Sequence, residues 1–231
     1  MDNKRKHIKA LMIIMLIFNT LQYGYCQTKI DYQNRAVEKY NTKDYQGAID
    51  NFSKIIEMYP KDSLAYFDRA MMKNIIEDYK GAIEDFSTHI TIDPSNPDGY
   101  FLRAMAKDKI KNYKSAIADY KKTISIEYDN ADAHYFMGLD KVTLKNNKSA
   151  IVDYNEAIKI RSNHNEAYFS RGIAKEKLQD YNGALIDYNK AILIDSTISN
   201  YYLKRGKLKI KLGKKKGGLL DLEKYNSMLK K

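Results

Sequence analysis

Tyr79-Lys-Gly-Ala-Ile-Glu-Asp-Phe86 returns 34 residues later as Tyr113-Lys-Ser-Ala-Ile-Ala-Asp-Tyr120 and again as Tyr181-Asn-Gly-Ala-Leu-Ile-Asp-Tyr188. Upstream the same stretch reads Tyr45-Gln-Gly-Ala-Ile-Asp-Asn-Phe52. Its central small residue marks a constant period through Ala48, Ala82, Ala116, Ala150, Ala184 and Gly218. A fixed period of this size means one supersecondary unit stacked on copies of itself.

With that small residue at the twentieth place, six units follow without insertion or deletion: 29–62, 63–96, 97–130, 131–164, 165–198 and 199–231. Each holds two runs of helical periodicity. In the fifth, Tyr168, Arg171, Lys175 and Leu178 fall three or four residues apart on one face. Asp180-Tyr181-Asn182-Gly183 then breaks the run, with Asp180 placed to cap the next helix. A second stripe follows through Ala184, Leu185, Tyr188, Ala191, Ile192 and Ile194. Pro60 and Pro94 stand at helix stops, where a missing amide ends the ladder.

The small residues have a mechanical purpose. Two helices joined by a short turn approach most closely at one crossing, and only Ala or Gly lets the backbones meet. Ala36, Ala70, Ala104, Gly138, Gly172 and Gly206 provide it on the first helix, and the Ala48-to-Gly218 series on the second. Phe52, Phe86, Tyr120, Tyr154 and Tyr188 fill the space one turn on.

On these residues the chain resembles the tetratricopeptide repeat family over nearly all of 29–231. The match rests on an aromatic or His at the fourth place (Tyr32, Tyr66, Tyr100, His134, Tyr168, Tyr202), Gly or Ala at the eighth, a small residue at the twentieth and an aromatic at the twenty-fourth. The family's Trp is missing at the fourth place. The twenty-seventh, normally Ala, reads Ile55, His89, Thr123, Ala157, Ala191 and Tyr225. The resemblance implies an all-α, right-handed superhelical solenoid of helix–turn–helix units. Its concave surface would be lined by the first helices and used to bind other proteins.

Two rows go beyond the family pattern. The seventh place carries Arg35, Arg69, Arg103, Met137, Arg171 and Arg205, and the twenty-third carries Asn51, Asp85, Asp119, Asp153, Asp187 and Asp221. A guanidinium can hold a carboxylate with two hydrogen bonds, so the pairs Arg69–Asp85, Arg103–Asp119, Arg171–Asp187 and Arg205–Asp221 are expected to tie helix to helix. Lys39, Lys73, Lys107, Lys141, Lys175 and Lys209 recur one turn along, and Lys141 stands in for the absent Arg in the fourth unit. An anion-binding strip is the alternative role for these bases. Structural pairing is preferred because each base has its own acid.

For a ligand, the resemblance points to the fifth-place row Phe67, Phe101, Tyr135 and Phe169 beside the ninth-place row Met71, Met105, Leu139 and Ile173. An exposed aromatic and Met-rich stripe is a surface for a protein or peptide segment. The opposing reading buries both rows between neighbouring helices. The Lys and Asn groove pattern by which some relatives clamp a carboxylate is not reproduced.

Charge is uneven. The chain carries 40 bases and 29 acids, yet 199–231 alone holds eleven bases against Asp221 and Glu223. Lys204, Lys207, Lys209, Lys211, Lys214, Lys215 and Lys216 form either a polar cap on the last unit or a patch for an anionic membrane or envelope polymer. Nucleic acid is a poor candidate, because the first 26 residues read as an export signal. There Lys4-Arg5-Lys6 and Lys9 precede an apolar run from Ala10 to Phe18, with small residues at Gly24 and Cys26. Cleavage before Gln27 would leave 27–198 as five units, 199–231 as a Lys-rich terminal unit, and no cysteine. Lipidation at Cys26 is the alternative, disfavoured by Tyr23 and Tyr25. The signal and the Lys- and Tyr-rich composition suggest a bacterial periplasmic or envelope protein.

No enzyme is expected, and no cofactor or metal. His89, His134 and His164 have no second ligand at metal-binding spacing. Gly206-Lys207 lacks the rest of a phosphate loop, and no Gly-x-Ser-x-Gly turn occurs. Gly217-Gly218 is expected to loosen the last helix near its start.

Overall fold

The computed structural model describes residues 28–230, so the expected export signal and Cys26 lie outside the described residues. The chain divides into two compact units, one ending at Pro94 and one beginning at Ser95. The first holds α1 (28–41), α2 (Tyr45–Met58), α3 (Ser63–Ile75) and α4 (Tyr79–Ile92). The second holds α5 (Pro97–Lys109), α6 (Tyr113–Ile126), α7 (Ala131–Thr143), α8 (Asn147–Ile160), α9 (Asn165–Lys177), α10 (Tyr181–Ile194), α11 (Ser199–Lys211) and α12 (Lys215–Leu229). The fold is all-α, and every regular element among the described residues is a helix. None of these helices is long and apolar enough to cross a membrane. Within the second unit each odd-numbered helix packs on the even-numbered helix after it, and each pair on the next pair.

One turn geometry closes all six hairpins. The fifteenth residue of each repeat adopts a left-handed backbone: Lys43, Glu77, Lys111, Lys145 and Gln179 have φ between 60° and 64°, and Gly213 has φ 76°. The next residue then donates its amide back to the eleventh-place carbonyl, as Asp180 does to Lys175 at 2.9 Å and Asn146 to Lys141 at 2.7 Å. This satisfies carbonyls that the ending helix leaves open. In most repeats the same residue starts the second helix. The carboxylates of Asp44, Asp78 and Asp180 accept the amides of Gly47, Gly81 and Gly183.

The crossings are tight. Ala48, Ala82, Ala116, Ala150 and Ala184 are fully buried. A Cβ on Gly172 would stand 2.7 Å from a ring carbon of Tyr188, and one on Gly138 2.6 Å from Tyr154. Gly206 and Gly218 meet backbone to backbone, each Cβ position falling under 3 Å from the other's carbonyl oxygen. The expected loosening at Gly217-Gly218 is not found. Helix α12 runs unbroken from Lys215 because Gly218 is seated in that crossing.

The polar twenty-seventh places are accommodated by the start of their own repeat. His89 is fully buried with Nδ1 2.9 Å from the Ser63 carbonyl, and Thr123 Oγ1 donates to the Pro97 carbonyl at 3.4 Å. Both reach a carbonyl at the N-terminus of the repeat's first helix.

Candidate functional site

Each repeat with an Arg at the seventh place and an Asp at the twenty-third joins them with two parallel hydrogen bonds. Nε and Nη2 of Arg69, Arg103, Arg171 and Arg205 bond the two oxygens of Asp85, Asp119, Asp187 and Asp221 at 2.6–3.0 Å. Lys73, Lys107, Lys175 and Lys209 close on the same carboxylates at 2.7–2.8 Å. The fourth-place tyrosine lies under the guanidinium, with Arg171 5.2 Å from the Tyr168 ring centre. Nη1 is left for the preceding repeat. Arg69 gives it to Ser53, Arg171 to Asn155 and Arg205 to Asn189, at 2.7–3.0 Å. These bases are thus held within the array, both inside a repeat and across the joint to its neighbour.

The fourth repeat departs from this arrangement. Met137 and His134 replace Arg and Tyr, and Asp153 keeps only the Lys141 ammonium at 2.6 Å. Burial pushes the Asp153 carboxyl above its usual range, with Lys141 only partly offsetting it. At Asp221 burial pulls the same way, but the bonds from Arg205 and Lys209 outweigh it and the pKa falls. The contrast follows from the missing guanidinium.

A second buried acid sits in the same repeat. Asp140 on α7 is 4 % exposed and faces Asp108 on α5. Asp108 also accepts the Tyr120 hydroxyl at 2.6 Å. Burial, and then Asp108 itself, push Asp140 up to about 8. Tyr188 bonds Glu176 at 2.8 Å in the matching place of the fifth repeat. Sequence reading missed the acid pair because its members sit at different places, the twelfth and the tenth, of adjacent repeats.

The fifth-place aromatics are built into the core. Phe67 packs on Phe86, Phe101 on Tyr120, Tyr135 on Tyr154 and Phe169 on Tyr188, with ring centres 5.4–6.1 Å apart. Phe169 is buried; Phe67, Phe101, Tyr135 and the ninth-place Met71, Met105, Leu139 and Ile173 are half-buried. In the first unit this face opens into a cleft of about 290 Å³ between α1 and α3. Val37, Tyr40, Phe67, Met71 and Ile75 line it, with Asp68 as its acid. Val37 is 54 % exposed and Tyr40 48 %. Burial raises the Asp68 carboxyl above the usual carboxylate range.

The basic patch is also divided. Lys209 is engaged with Asp221, and Lys211 donates to the Tyr181 hydroxyl at 2.8 Å while stacking on that ring. Lys204 is half-buried, whereas Lys207, Lys214, Lys215 and Lys216 are exposed. Among the described residues no cluster of three or more His, Cys, Asp or Glu side chains is placed to hold a metal.

The tetratricopeptide repeat model matches residues 97–130 and 166–198. These segments are tetratricopeptide repeats, and the chain is built of helix pairs of that kind. Among solved structures it is similar to the MamA protein, at 23 % identity over 76 % of this chain and 96 % of that one, with TM-score 0.70. A tetratricopeptide repeat protein from Parabacteroides merdae aligns at 16 % identity, covering 87 % of this chain and 80 % of that one, with TM-score 0.77. YrrB, described as a repeat protein with an unusual peptide-binding site, aligns at 20 % identity over 77 % and 91 %, with TM-score 0.64. No curated protein matches the sequence. Proteins of this fold serve protein–protein interaction.

Proposed function

We propose that this chain is an exported, non-enzymatic scaffold of the bacterial cell envelope that holds a segment of another protein against its first helices. The observation that carries the reading is the apolar cleft of Val37, Tyr40, Phe67, Met71 and Ile75. Val37, Phe67 and Met71 stand at the fifth and ninth places to which the family resemblance points, and exposed apolar side chains around a depression favour an inserted apolar side chain. Within the second unit, half-buried Met105 and Leu139 at the matching ninth places add adaptable, sulfur- and methyl-rich surface of the same kind. The peptide-binding site for which the similarly folded YrrB is described supports the same use of the fold.

The test uses a photo-crosslinking amino acid at Tyr40 in the native envelope, followed by mapping of the attached segment by mass spectrometry. A synthetic peptide of that segment should bind the purified chain, and Val37→Asp/Ile75→Asp should weaken it at least tenfold while circular dichroism stays unchanged. Equal binding by that folded variant would remove the cleft from the function. Fractionation of cells would decide export independently.

A further inference from the structure

The second helices of the Ser95–Lys231 unit present an outward ridge whose composition differs from the same ridge before Pro94. The eighteenth, twenty-second, twenty-fifth, twenty-sixth and twenty-ninth places of a repeat lie on one helical face. In α6, α8, α10 and α12 these places hold eight exposed lysines, among them Lys148, Lys190, Lys216 and Lys224, against only Glu156 and Glu223. In α2 and α4 they hold Lys54 and Lys80 against Asp50, Glu57 and Glu84. Asp50 and Glu84 at the twenty-second place give way to Ala118, Val152, Ile186 and Leu220. Val152 is 59 % exposed, Ile186 67 %, Leu220 57 %, and Leu193 on the same face 77 %.

We propose that this ridge docks on an anionic lipid bilayer, inserting Val152, Ile186, Leu193 and Leu220 between headgroups that the surrounding lysines attract. Lysine-framed aliphatics are the composition of surfaces that lie in the membrane interface, where charge draws the protein in and apolar side chains enter the acyl boundary. A protein partner would call for aromatic or arginine anchors, and these five places in α6, α8, α10 and α12 contain neither. Beside Ile186 and Leu193 lies a shallow cleft over Arg171 and Asp187, which already bond each other. Of its other polar side chains, Asn189 accepts from Arg205 and Lys190 is one of the ridge's own lysines. The aliphatics stand out singly, which suits a fluid bilayer better than a shaped protein surface.

A polarity-sensitive fluorophore on Ile186→Cys, in the full chain carrying Cys26→Ser, reads the ridge itself whatever the rest of the chain does. With phosphatidylglycerol–phosphatidylcholine vesicles its emission should shift to the blue. With phosphatidylcholine alone it should not. Lys190→Glu/Lys216→Glu should raise the half-saturating lipid concentration about tenfold, and added salt should act in the same direction. A fluorophore on Asp50→Cys should stay unchanged. An unshifted Ile186 fluorophore on vesicles that co-sediment the protein would overturn the proposal. A shift produced by soluble polyglutamate and not by vesicles would overturn it too, assigning the ridge to an acidic protein.

Discussion

Arg171 holds Asp187 through two hydrogen bonds, 3.0 Å from Nε and 2.6 Å from Nη2, and in doing so joins α9 to α10. Asp187 is 1 % exposed, and Lys175 reaches it as well at 2.8 Å. Removing Arg171 would leave this buried carboxylate to Lys175 alone, as Asp153 is left to Lys141, at a cost below the about 3 kcal/mol of stranding a buried charge with no partner. Arg171→Ala should therefore lower the urea midpoint substantially, and Arg171→Lys should recover only part of the loss. A lysine cannot reproduce the fork and still reach Asn155.

Gly172→Ala should destabilise by about 1–3 kcal/mol even though Ala is the better helix former. The added methyl would stand 2.7 Å from Tyr188, whose ring is fully buried and has nowhere to go. Thermal unfolding followed by circular dichroism checks it. A neutral result would mean the crossing between α9 and α10 is looser than described.

The left-handed turn residues give a prediction of opposite sign. Lys145 takes φ 61° with a side chain that disfavours it, a conformation costing about 1–2 kcal/mol for a residue other than glycine. Lys145→Gly should raise stability by about 0.5–1 kcal/mol, after the greater freedom of glycine in the unfolded chain is counted. Gly213→Ala should lower it by a similar amount. Paired urea titrations compare the two.

Stability should fall as pH rises from the acid range toward 8. The Asp140 carboxyl titrates near 8 in the folded chain and at 3.8 when unfolded. Between those values the folded state holds a proton that the unfolded state lacks, so folding weakens as pH rises through that window. Asp153, raised by burial, adds in the same direction. Burial lowers His134 below 6.5, which weakens folding as pH falls through that value. Asp140→Asn keeps a donor for Asp108 and should remove most of the loss between pH 5 and 8, leaving the opposing His134 contribution near 6.5 in view. Urea midpoints from pH 5 to 9 measure both limbs.

Much of this arrangement was legible because the unit repeats. The small residues at the eighth and twentieth places, and the Arg and Asp rows, each stand out as columns that one helix geometry explains. The fifth-place row was placed on the first-helix face, but spacing says nothing of the twenty-fourth-place rings packing against it. The hairpin turn was hidden because five of six left-handed positions carry Lys, Glu or Gln where glycine would have signalled the bend. The third bond of each guanidinium left a faint column of Ser53, Asn155 and Asn189. The Asp108–Asp140 contact left none, since it joins different places of different repeats.

Met137 has a mechanical consequence. The neighbouring joints are cross-braced by Arg171–Asn155 and Arg205–Asn189, but the joint between the third and fourth repeats has no such brace. There α5 and α7 meet through the facing carboxyls of Asp108 and Asp140 and through the rings of Phe101 and Phe136, whose centres lie 5.9 Å apart. At this joint two carboxyls, one of them titrating near 8, stand where the neighbouring joints hold a guanidinium and an amide.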